Sequence, residues 1–67
     1  MADQRDVMRG LEILMGYKPD GVTWNCDAQH DELFAEGPDP EALGGDDARE
    51  LADRGWTWTG ECWRRFT

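Results

Sequence analysis

Trp56-Thr57-Trp58-Thr59-Gly60-Glu61-Cys62-Trp63-Arg64-Arg65-Phe66 is the stretch that decides the fold. Large and polar residues alternate on both sides of Gly60-Glu61, and period-two alternation broken by a glycine turn predicts a β-hairpin. A two-residue loop pairs Trp58 with Trp63. A three-residue loop instead sets Trp56 and Trp58 on the face of Phe66. Alternation alone leaves both registers open, because a slip of one residue exchanges the faces of a strand.

Working upstream, Asp46 is the expected N-cap of a helix that ends near Arg54, with Gly55 in the C′ position. Its expected core side is Ala48, Leu51 and Ala52. Asp46, Glu50 and Asp53 then share the outer side at i, i+4, i+7, a carboxylate stripe about 10 Å long by helical rise. Gly37-Pro38-Asp39-Pro40 reads as a loop, since proline removes amide donors and fixes the backbone. Two short strands precede it. Val22, Trp24 and Cys26 alternate with Thr23, Asn25 and Asp27, residues 28 to 31 form the connection, and residues 32 to 36 form the second strand. Leu33 and Phe34 compete for its buried face.

The chain opens with a helix capped by Asp3, with Asp6 placed to reach back as a capping-box acid and Gly16 as the stop. Val7, Leu11, Leu14 and Met15 mark its apolar face, with Met8 at the edge. Gly10 inside it costs about 1 kcal/mol relative to alanine, so packing must hold that turn. The order α-β-β-α-β-β with short connections predicts an α+β fold, a small antiparallel sheet with both helices on one face.

With 67 residues there is room for one acidic domain, residues 1 to 67, and no large substrate cavity. Four Trp and two Phe in 39% apolar content argue against disorder. Two or three of the Trp are expected in the core and one or two on the open sheet face. No apolar run reaches the roughly 18 residues of a membrane span, and the first residues lack a signal-peptide layout. The expected protein is soluble, cytoplasmic and monomeric, and its two cysteines stay reduced as thiols.

Charge is sorted along the chain. From Asp20 to Asp53 there are eleven carboxylates against Arg49, out of a net charge of −8 for the whole chain. Such a block disfavours nucleic acid and anionic membranes as direct partners and favours a basic protein surface. The expected partner-binding residues are Asp31, Glu32, Glu36, Asp39, Glu41, Asp46, Asp47, Glu50 and Asp53. Arg64 and Arg65 are open to a plain role as strand-edge charges.

Chemistry-bearing constellations are weak. Cys26-x-x-x-His30 with Cys62 supplies one loose pair and a distant thiol, whereas zinc favours close pairs from two knuckles. The plainer expectation is a buried strand cysteine and a surface histidine. A Cys-His dyad lacks a pocket, and the paired acids show neither a calcium-loop spacing nor a setting that would raise a pKa. No catalytic residue, metal or cofactor is expected. A small structural or metal-binding module is the competing functional class.

The runs His30-Asp31-Glu32-Leu33, Gly37-Pro38-Asp39-Pro40-Glu41, residues 51 to 58 and Cys62-Trp63-Arg64-Arg65-Phe66-Thr67 resemble small acidic proteins of phages and other mobile elements. Those runs hold 23 of the 67 residues and lie within a span, residues 30 to 67, that covers about half of the chain. Some proteins of this kind are anti-CRISPR proteins, several of which act as DNA mimics. What the resemblance implies is an inhibitor in the host bacterial cytoplasm that occupies the DNA-binding surface of a type I CRISPR-Cas effector subunit. A rigid acidic protein can release the counterions that DNA would release from such a groove.

Overall fold

The computed structural model describes residues 3–66, which leaves Thr67 outside the described residues. Its elements are α1 (Gln4–Met15), β1 (Cys26–Gln29), β2 (Glu32–Ala35), a 3-10 turn (Pro40–Ala42), α2 (Gly45–Asp53), β3 (Thr57–Trp58) and β4 (Trp63–Phe66). The strands form one antiparallel sheet in the order β1-β2-β4-β3. The fold is α+β, with the predicted element order.

The hairpin takes the two-residue loop. Trp58 faces Trp63, and Thr59 N–H donates to Cys62 O at 2.9 Å. Gly60 supplies the turn with φ of 105°, a conformation that only glycine adopts at little cost. Trp58 and Trp63 therefore share one face, their rings tilted at 5.4 Å between centroids.

That face is the buried one. Ile13 and Leu14 of α1, Leu51 of α2, Ala35 of β2, Trp63 of β4 and the preceding Trp56 form the core. Both helices thus cover the Leu33–Ala35 side, and Phe34 belongs to the other side with Arg64, its cross-strand partner. The open face carries Phe34 and Phe66 where tryptophan was expected. Strand parity explains the correction: once Trp63 points inward, Trp58 opposite it must do so too.

Several local expectations are corrected. The first strand begins at Cys26, later than the alternation of residues 22 to 27 suggested, and the connection to β2 shrinks to His30-Asp31. Cys26 is exposed rather than buried, because β1 is an edge strand and all four of its residues stay in solvent. Asp3 caps α1 as predicted, accepting from Arg5 N–H. Asp6 does not reach back to the cap, since its carboxylate is held by Arg54 at 2.8 Å. In α1, Ile13 takes the core place expected of Met15, which is 50% exposed. In α2 the cap is Gly44, with no side-chain bond, so Asp46 is the second helical residue. Ala52 faces solvent.

Gly55 does end α2 with φ of 89°, and Trp56 N–H then donates to Leu51 O at 2.9 Å. The Pro-rich stretch is a loop only as far as Asp39. Proline at the first position of a helical turn loses no hydrogen bond, and Pro40 there starts the 3-10 turn, capped by Asp39.

Candidate functional site

The charges are sorted in space as well as in sequence. Arg9 binds Glu50 at 3.0 Å and lies 3.7 Å from Glu12. Arg54 reaches Asp6 and Glu50, each at 2.8 Å. Arg65 lies 3.6 Å from Asp6 and donates to Arg54 O at 2.6 Å. These contacts tie α1, α2 and β4 together on the helix side of the sheet. Arg65 is therefore no edge charge, since β4 lies between β2 and β3 and the side chain is only 12% exposed.

The remaining bases are also engaged. Arg5 pairs with Asp3 at 3.2 Å, and Arg64 pairs with Glu32 at 3.5 Å while its guanidinium lies over Phe66. Lys18 Nζ donates to the Val22 carbonyl at 2.7 Å. Among the described residues only Arg49 has no such contact.

The acids divide accordingly. Asp3, Asp6, Glu12, Glu32 and Glu50 are ion-paired. Asp20, Asp27, Asp31, Glu36, Asp39, Glu41, Asp46, Asp47, Asp53 and Glu61 have no ion pair among the described residues. Apart from Arg49, the basic side chains are spent on contacts within the fold, and the excess negative charge is left outside.

Of the nine expected partner-binding residues, Asp31, Glu36, Asp39, Glu41, Asp46 and Asp53 are exposed. Glu36 accepts the Asn25 N–H at 2.9 Å. Asp39 accepts the Glu41 N–H. Asp47 is half-buried and accepts a hydrogen bond from the Tyr17 hydroxyl at 2.6 Å, while the Tyr17 hydroxyl oxygen accepts Gly44 N–H. The bond to Asp47 raises the Tyr17 pKa above 10.0, because ionisation would place two anions together.

Glu50 is turned towards α1, so the expected stripe of Asp46, Glu50 and Asp53 does not exist as one exposed row. Arg49 stands exposed between Asp46 and Asp53 instead. Hydrogen bonds from Arg9 and then Arg54 hold the Glu50 carboxyl below its ordinary value of 4.5.

Comparison with family models, curated proteins and solved structures finds no match. The chemistry must therefore be read from the surface itself. Among the described residues no three His, Cys, Asp or Glu side chains gather as metal ligands, so Cys26, His30 and Cys62 form no common site. Asp27, Glu36 and Glu61 do come together, around an open cleft of about 310 Å³ that Asn25, Cys26, Phe34 and Cys62 also line. Asp27 and Glu61 were not among the expected binding residues. Glu61 lies in the hairpin, beyond the acidic block, and only the sheet register brings it near β1. No helix among the described residues is long and apolar enough to cross a membrane.

Proposed function

We propose that this protein is an acidic inhibitor that binds the basic, nucleic-acid-binding surface of a bacterial defence complex. The specific reading is a phage-encoded anti-CRISPR protein that mimics DNA and blocks target binding by a type I CRISPR-Cas effector. The observation that supports it most is the division of charge: among the described residues every arginine but Arg49 is held in an intramolecular pair, while ten carboxylates have none. A phosphate-binding groove is a track of Lys and Arg that such carboxylates can occupy. Acids anchored on helix, turn and strand lose less entropy on docking than those of a flexible tail. The resemblance of residues 30 to 33, 37 to 41, 51 to 58 and 62 to 67 to small acidic phage proteins is what suggests a defence complex as partner.

The test uses two charge-reversed variants that leave the structural Glu50 intact. One carries Lys at Glu41, Asp46 and Asp53, and the other at Asp27, Asp31 and Glu36. Target-DNA binding by a susceptible type I effector is measured with each. At least one folded variant should lose inhibition, and inhibition by the wild-type chain should weaken as salt rises. Full inhibition by both variants would overturn the reading.

A further inference from the structure

The strand β1 is an uncovered edge whose two sides differ in chemistry. It borders the sheet, and all four of its residues are exposed. Glu36 N–H donates to Asn25 O at 2.9 Å, and these two residues extend the β1–β2 register by one position. Opposed antiparallel residues alternate between bonded and non-bonded pairs. Asp27 and Gln29 therefore exchange hydrogen bonds with β2, and the N–H and C=O groups of Cys26 and Ala28 point away from the sheet. Proline, lysine and bulges are common means of blocking an edge; Cys26-Asp27-Ala28-Gln29 has none of them.

On the helix side, beside Cys26, lies a cavity of about 190 Å³ lined mainly by Leu11, Leu14, Met15, Trp24 and Ala35. On the opposite side Asp27 stands next to Phe34 in the register, at the cleft it shares with Glu36 and Glu61. We infer that β1 is a docking edge for an extended basic segment of the partner protein, which adds to the sheet as a fifth strand. An apolar side chain opposite Cys26 enters the cavity, and a Lys or Arg opposite Asp27 pairs with it on the other face. Main-chain bonds supply affinity in this mode of recognition, and the alternating side chains supply specificity.

Charge selects this occupant over a second copy of the chain, which would bring one net charge of −8 against another. The inference rests on the proposed reading that the partner is basic, and adds where and in what conformation it binds.

The full chain, labelled with nitrogen-15, is titrated with two short capped peptides of equal charge. One alternates arginine with leucine, the other arginine with glycine. The Arg/Leu peptide should bind more tightly, shift the amides of Cys26, Asp27 and Ala28 together with the Trp24 indole, and slow hydrogen exchange at Cys26 and Ala28. Ala28→Pro removes only an outward N–H and should weaken that peptide about tenfold or more with the native spectrum kept. If that variant fails to fold, Asp27→Lys is used and should weaken the same peptide by a similar factor.

Binding of the Arg/Leu peptide with shifts confined to α2 and the Pro-rich loop would overturn the edge while leaving a basic partner in place. Failure of both peptides to bind at low salt would overturn the basic partner and the edge together. Shifts of the Cys26 and Ala28 amides with protein concentration alone would assign the edge to a second copy and overturn the inference.

Discussion

Gly10 of α1 lies against the Trp56 indole so closely that a Cβ at this position would overlap the ring. The indole Nε1–H donates to Asp6 O at 3.2 Å, and Trp56 is 2% exposed, so the ring has little room to move. Alanine gains about 1 kcal/mol of helix propensity over glycine. Overpacking costs about 1–3 kcal/mol and should win here. Gly10→Ala is expected to lower the urea midpoint followed by tryptophan fluorescence. An unchanged or higher midpoint would show that α1 can shift away from the ring.

The pairing of Glu50 with Arg9 and Arg54 makes stability depend on pH. Its folded-state pKa lies below 4.5, so its contribution is present above the unfolded glutamate value and is lost as pH falls through the folded one. Glu50→Gln should therefore be less stable than wild type at roughly neutral pH. The gap should close in acid, below the ordinary glutamate range. Denaturation curves at both pH values check this, and a gap independent of pH would mean that the charge of Glu50 contributes nothing.

Tyr17 is the single tyrosine of the chain, so an absorbance titration of phenolate formation reports on it alone. Asp47→Asn should bring its pKa down towards 10.0, because the hydrogen bond to the Asp47 carboxylate is the largest cause of the upward shift. The sign for stability is opposite to that of Glu50. The contribution is present below the unfolded tyrosine pKa and is lost as pH rises through the folded one.

Cys26 is exposed on the edge strand, whereas Cys62 is half-buried and lies 3.6 Å from Thr59 Oγ1. Thiol reagents should label Cys26 several-fold faster, as read by peptide mass after timed quenching, since access to the sulfur limits the rate. Equal rates would mean that the hairpin turn opens readily.

What the sequence discloses and what it hides follow from range. The hairpin, the α2 stop at Gly55 and the Asp3 cap are local devices, and each stands where the residues put it. Ile13 is hidden in the pattern because the buried residues of α1 are Gly10, Ile13 and Leu14, and a glycine gives no apolar signal to mark that face. The displacement of β1 has another cause. Val22 and Trp24 alternate correctly for a strand, but β2 has partners to offer only from Asn25 onward.

Of the binding set, the exposed acids were legible from polarity alone. The inward turn of Glu50 was not, because its partner Arg9 lies 41 residues away. A contact of that span leaves no periodic trace. The cleft of Asp27, Glu36 and Glu61 was hidden for the same reason, since three elements contribute one acid each.

Trp56 and Trp63 are two of the six residues that form the core, and both belong to the C-terminal quarter of the 67-residue chain. The Asp6–Arg54 bond spans 48 residues. While residues 56 to 63 are still inside the ribosomal exit tunnel, α1 has emerged without either of the core indoles, Trp56 and Trp63. The core therefore cannot close until these residues have left the tunnel.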